Sequence, residues 1–237
     1  MTEHTRALLA EIAGTFMFFV IGAGAIVTAG MSAVPGTSLV AIALAHGLAL
    51  AIAISSFGAI SGGHFNPAVT FGLAIARKHP WPRVLTYWAA QLIGALLAGL
   101  GLRLFFEPFL ASATATHLGT PGLNPAVGPG LAIVIEAVLT LFLMWAVFGT
   151  AVSPNAPRIA GFGIGLVVAA DILIGGPLTG AAMNPARWFG PADEREPIVM
   201  PDLGARPAAA TPVSSVRPGP AAPAPAEPQS SDRTQRL

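Results

Sequence analysis

The chain has 237 residues, of which 54% are hydrophobic and only 10% charged, with a formal net charge of +1 and no cysteine. Soluble domains carry about 25% charged residues, so most of this chain cannot face water. The near-zero net charge gives no basis for nucleic-acid binding, and the lack of cysteine excludes disulfides and thiol chemistry.

A helix that crosses a membrane needs about 20 mostly apolar residues. In chain order, the first such segment covers about 7–30. It is too long for a secretory signal and shows no small-residue cleavage pattern ahead of a soluble domain. The second covers about 38–60, the third 83–106, the fourth 130–152 and the fifth 157–176. Each is bounded by Gly, Pro or charge, as helix ends tend to be. All are rich in Gly and Ala, which lets neighbouring helices approach closely. Two shorter apolar segments, 67–77 and 185–190, begin at Asn-Pro-Ala tripeptides. A short helix at membrane depth survives only when buried in protein or lining a cavity.

Basic residues set the expected topology. Arg6, the group Arg77, Lys78 and Arg83, and Arg158 fall on one side of a five-span arrangement. The loops at 31–37 and 107–129 carry no Lys or Arg. The excess of positive charge in cytoplasmic loops places the N-terminus in the cytoplasm. Residues 191–237 are dominated by Pro, Ala, Ser and charge, with no window able to span a membrane. Their composition predicts a disordered tail.

The chain also repeats itself. Glu11 in the first span and Glu136 in the fourth each have a Thr four residues on, Thr15 and Thr140. Each is followed one span later by a Gly-rich turn and Asn-Pro-Ala, in "SGGHFNPAVTFG" and "TGAAMNPARWFG". The pattern is one three-helix unit and most of a second. With an odd number of spans per unit, the two copies must sit inverted, an architecture typical of membrane transport proteins with the site at the repeat interface.

The tripeptides have a chemical reading. Asn is a good helix N-cap, and Pro suits the first helical position, where its missing N–H would be unpaired anyway. Asn66, Pro67 and Ala68 therefore start one short helix, and Asn184, Pro185 and Ala186 start another. Inversion brings the two N-termini together near the midplane, each with about half a positive charge. Such a gap accepts neutral polar molecules and repels cations and protons. A third tripeptide, Asn124-Pro125-Ala126, runs into Gly128-Pro129-Gly130, which breaks a helix at once. It reads as part of an external loop and not of the pore.

These residues resemble the aquaporin and aquaglyceroporin (major intrinsic protein) family. "AHGLALAIAISSFGAISGGHFNPAVTFG" is similar to the second span and first pore loop of tonoplast-type members, and "GGPLTGAAMNPARWFGPA" to the second pore loop of glycerol facilitators. The resemblance covers residues 7 to about 191. It implies an all-α membrane protein: a right-handed helical bundle of inverted repeats, with five spans, two re-entrant half-helices and an incomplete second repeat. Family members have six spans, and the similarity stops at Pro191, where a sixth should soon follow. The channel domain is then 1–190 and the tail 191–237.

The resemblance also implies an outer constriction of four residues, which by spacing are His46, Ile172, Ala181 and Arg187. Ile172 and Ala181 imply a wide, half-apolar gate, and Arg187 a fixed positive charge. Glu11 and Glu136 are expected to accept the N–H groups of the irregular pore loops, and His64 to brace its own loop. Asp171 stands where a neutral residue is expected. Its candidate surroundings are Arg187, Arg103 or a water cavity.

The implied function is a passive channel for water and small neutral solutes such as ammonia, urea, glycerol or hydrogen peroxide. The implied assembly is a homotetramer in a bilayer, in a bacterial plasma membrane. The competing reading is a non-conducting relative, or a subunit of a mixed oligomer. No cofactor, catalytic residue or metal site is expected: His64, His46 and Glu11 lack metal-ligand spacing, and no Ser-His or Cys-His set is visible.

Overall fold

The computed structural model describes residues 1–31, 38–109 and 116–189. The expectations for the tail 191–237 and for Gly190 lie outside the described residues. Among the described residues, five helices are long and apolar enough to cross a membrane: Glu3–Met31, Leu39–Ser61, Trp81–Phe105, Pro129–Val152 and Phe162–Thr179. No strand occurs among the described residues.

Helix α1 (Glu3–Met31) has 29 residues. At 1.5 Å per residue it is about 44 Å long, more than the ~30 Å hydrocarbon core. Its buried positions, Ala7, Ala10, Glu11, Gly14, Phe18 and Gly22 among them, recur every three or four residues. That spacing makes one continuous face, and Leu9 and Ile21 point away from it. Helices α2 (Ser38–Ser61) and α4 (Val84–Phe105) pack on this face. Between them the short α3 (Pro67–Ile75) folds back against α4. It ends where Arg77 takes a left-handed φ of 58°.

The second repeat comprises α5 (Pro129–Val147), α6 (Phe162–Thr179) and the short α7 (Pro185–Phe189). α5 widens into a π-type turn at Phe148–Val152, in which Ser153 N donates to Phe148 O at 2.8 Å. The sequence pattern suggests a start for the fifth span at Pro157, but α6 begins at Phe162. Ala160, at φ 48°, turns the chain immediately before the helix. At its other end α6 runs on through Pro177 to Thr179 and is capped by Gly180, left-handed at φ 79°. Glycine adopts this conformation without steric cost.

The repeats meet where α2 crosses α6. A Cβ on Gly47 would stand 2.5 Å from the carbonyl oxygen of Gly165 and 2.9 Å from Ala169 Cβ. Backbone touches backbone here, so no side chain can move aside. Gly47→Val is therefore expected to cost about 1–3 kcal/mol or more through overpacking. Thermal unfolding of the detergent-solubilised variant measures this, with Gly149→Val, which has open space around it, as the control.

Candidate functional site

Two short helices start at the centre of the bundle. Asn66 sits in extended backbone (φ −158°, ψ 120°), and its Oδ1 accepts from Ala68 N at 2.8 Å. Pro67 occupies the first helical turn. Asn184 repeats the arrangement, with Oδ1 accepting from Ala186 N at 3.0 Å ahead of Pro185. Each Asn then reaches across to the other repeat. Asn66 Nδ2 donates to Met183 O at 2.9 Å, and Asn184 Nδ2 donates to Phe65 O at 2.9 Å. Both carbonyls belong to strained residues, Phe65 at φ 46° and Met183 at φ 49°. Non-glycine residues rarely adopt this region, and they hold it only where the surroundings fix it.

The two glutamates provide that fixation. Glu11 Oε1 accepts from Ser61 Oγ at 2.6 Å and His64 N at 3.0 Å, while Oε2 accepts from Phe65 N at 2.7 Å. Glu136 does the same for the second loop: Oε1 accepts from Thr179 Oγ1 and from Ala182 N at 3.0 Å, and Oε2 from Met183 N at 2.7 Å. The N–H groups of His64, Phe65, Ala182 and Met183 are paired by these carboxylates, and an unpaired one at membrane depth costs several kcal/mol. His64 Nδ1 lies 3.0 Å from Thr70 Oγ1, which ties the loop to α3.

Asn66, Asn184, His46, Ile172, Ala181 and Arg187 all line one cavity of about 290 Å3. Pro67, Ala68, Pro185 and Ala186 form the first helical turns behind its wall. His46 Nδ1 donates to the Ile42 carbonyl at 2.9 Å, so Nδ1 carries the hydrogen. Nε2 is buried without a protein partner among the described residues. The ring fits because Gly22 faces it, where a Cβ would stand 2.7 Å from Nε2. Arg187 is 3% exposed and donates from Nη1 to Gly180 O at 2.6 Å and Ala181 O at 2.7 Å. Two carbonyls thus orient the guanidinium, and its Nε makes no hydrogen bond among the described residues.

Asp171 is buried, and its Oδ2 has no hydrogen-bond partner among the described residues. It does not form the cavity wall, and the Arg187 Nη1 bonds go to carbonyls instead. Asn124 lies in an exposed loop away from the cavity. It is not idle there: Nδ2 donates to Pro177 O at 3.0 Å and its N–H to Leu178 O at 3.0 Å, which ties the loop to the end of α6.

Three supporting residues escape the sequence reading. Gln91 Nε2 donates to Glu11 Oε2 at 2.8 Å and to Thr70 Oγ1 at 2.9 Å. Tyr87 Oη donates to Ser61 O at 2.8 Å, and Trp88 Nε1 to Pro67 O at 3.1 Å. For Gln91 a signal exists, since it is an amide in an otherwise apolar span.

Comparison with known proteins agrees with this geometry. The family model "Major intrinsic protein" matches residues 1–193. "Probable aquaporin TIP-type alpha" of Phaseolus vulgaris is 43% identical over 197 residues, covering 80% of this chain and 74% of that protein. "Aquaporin NIP1-1" of Oryza sativa subsp. japonica is 39% identical over 188 residues, covering 79% of this chain and 63% of its own length. Among solved structures, the aquaglyceroporin from Plasmodium falciparum superposes with a TM-score of 0.69 at 27% identity, covering 79% of each chain. Identity at this level over four-fifths of the sequence, on a shared fold, makes the chain a member of the major intrinsic protein family, the aquaporin-type membrane channels for water and small solutes.

Proposed function

We propose that the chain is a passive channel for water and small neutral solutes, with ammonia, urea, glycerol and hydrogen peroxide as the candidate cargo. The observation that carries this reading is the convergence of both Asn side chains and His46, Ile172, Ala181 and Arg187 on one cavity. A molecule in that cavity meets Arg187 and two helix N-termini, each with about half a positive charge. Cations and protons are repelled, while a neutral molecule with lone pairs is accepted. Ile172 and Ala181 supply no polar atom and little bulk at the constriction. Solutes larger than water pass for that reason, and His46 sets the remaining width.

The assembly proposed is a homotetramer with a pore in each subunit. The orientation proposed has the N-terminus in the cytoplasm, on the charge bias of Arg6, Arg77, Lys78, Arg83 and Arg158. The two sequence relatives named above come from plants, so a bacterial membrane is not carried into this proposal.

Stopped-flow swelling of proteoliposomes tests the reading directly. Water and at least one neutral solute should cross faster than in protein-free vesicles, with no added proton flux. Rates equal to empty vesicles would instead favour a non-conducting relative. His46→Trp is expected to narrow the constriction and raise the ratio of water flux to urea flux about tenfold, the effect of 1.4 kcal/mol between the two barriers. An unchanged ratio in a conducting variant removes His46 from the gate.

A further inference from the structure

The end of α6 is held from outside the helix. The last carbonyls of an α-helix have no partner within it. The N–H groups four residues beyond Pro177 and Leu178 are those of Ala181 and Ala182, and both are taken. Ala181 N donates to Thr179 Oγ1 at 3.3 Å, and Ala182 N to Glu136 Oε1 at 3.0 Å. Asn124 supplies the two missing donors, Nδ2 to Pro177 O and its N–H to Leu178 O, each at 3.0 Å. Its Oδ1 accepts from Ala126 N at 2.9 Å, which fixes the turn that presents them.

The same loop reaches both sides of the constriction. Pro121 lies on Gly180, where a Cβ would stand 2.7 Å from Pro121 Cβ and 3.0 Å from Gly122 N. Gly180 O and Ala181 O are the two carbonyls that hold Arg187 Nη1. Further back in the chain, Gly119 seats on α1, where a Cβ would stand 2.6 Å from Ala23 O. Ala23 follows Gly22, the residue that faces His46. His117, Leu118 and Gly119 turn the loop there with left-handed φ of 48°, 49° and 78°. Non-glycine residues hold such angles only where the surroundings fix them. Residues 117–124 thus strap α1, beside His46, to the end of α6, beside Arg187.

We propose that Asn124 is a positioning residue for Arg187, and through it a determinant of solute selectivity. With its two donors in place, α6 stops at Thr179 and the Gly180 carbonyl meets the guanidinium. Without them, Pro177 O and Leu178 O compete for the Ala181 and Ala182 N–H groups, as in a helix that runs on for another turn. The Gly180 and Ala181 carbonyls then leave Nη1, and the guanidinium no longer keeps one place in the constriction. The selectivity part rests on the channel reading; the positioning part does not.

Stopped-flow measurements on proteoliposomes test the first part. Asn124→Ala should raise the ratio of urea flux to water flux about fivefold, the worth of one neutral hydrogen bond. Asn155→Ala, at an exposed turn ahead of α6, is the control and should leave the ratio at the wild-type value. In an Arg187→Val background Asn124→Ala should have no further effect, since residues that act as one unit do not add. Hydrogen exchange at the Arg187 guanidinium tests the second part, by NMR of protein carrying isotope-labelled arginine in nanodiscs. The signal is assigned by its loss in Arg187→Lys, and its exchange should quicken in Asn124→Ala but not in Asn155→Ala. Should Asn124→Ala misfold, Pro121→Gly, which uncovers Gly180, makes both tests. An unchanged flux ratio in a folded, conducting variant overturns the proposal. So does the full shift in the Arg187→Val background, which routes the effect elsewhere. A wild-type chain that conducts nothing defeats the channel reading alone, and unchanged guanidinium exchange then defeats this proposal.

Discussion

Glu11→Leu is expected to leave little folded protein. The change strips an acceptor from Ser61 Oγ, His64 N, Phe65 N and Gln91 Nε2 at once. The two hydroxyl and amide groups have some freedom to turn, but the two backbone N–H groups have none. A buried donor left unpaired costs about 1–3 kcal/mol, so the loss is roughly 4 kcal/mol or more. That is a large share of the ~5–15 kcal/mol that holds a typical domain together. Glu136→Leu should cost less, because Glu136 is partly exposed and serves three donors. Chemical unfolding in detergent, followed by tryptophan fluorescence, ranks the pair. An unfolding midpoint for Glu11→Leu equal to wild type would remove the carboxylate as the support of the first loop.

The second large effect belongs to Asn66→Asp. The substitution keeps the oxygen that caps α3 and replaces the Nδ2 donor with a second acceptor. That acceptor then faces Met183 O, at the place where Asn66 Nδ2 now donates over 2.9 Å. An uncompensated buried charge costs about 3–5 kcal/mol. The variant should lose most of its folded yield, and any folded fraction should leak cations, since a negative charge offsets the two helix N-termini. Asn124→Asp makes the same chemical change in an exposed loop. There the new charge is solvated, and the loss is limited to the hydrogen bond to Pro177 O, about 1 kcal/mol. Thermal unfolding and cation-flux measurements on both variants distinguish them. Equal losses would show that position in the fold does not separate the tripeptides.

Much of this fold is legible in the sequence, because a membrane simplifies the code. Long apolar runs can only be helices, and the Glu11/Glu136 and Asn66/Asn184 spacings expose the inversion. The cap function of each Asn follows from residue type alone. Boundaries are less legible. The start of α6 depends on the turn at Ala160, which no propensity announces. The constriction set came from family likeness, and the structure brings those four residues to one cavity. Cross-element bonds were invisible: Gln91 meets Glu11 across 80 positions, and nothing local to "WAAQLIG" says so. The sequence marks Asn124 as a loop residue, but its tie to Pro177 depends on where α6 ends.

The reciprocal clasp between the loops has a consequence for biogenesis. The partner of the Asn66 amide lies 117 residues downstream, and that of Asn184 lies 119 residues upstream. At ribosomal speeds of ~5–20 residues per second, the first loop waits roughly ten seconds for its counterpart. During that interval the first repeat is a half-finished object, with a polar amide and a bare carbonyl at membrane depth. The centre of the molecule is therefore the last part to close, and nascent chains halted before Met183 present an open, hydratable cleft to the insertion machinery.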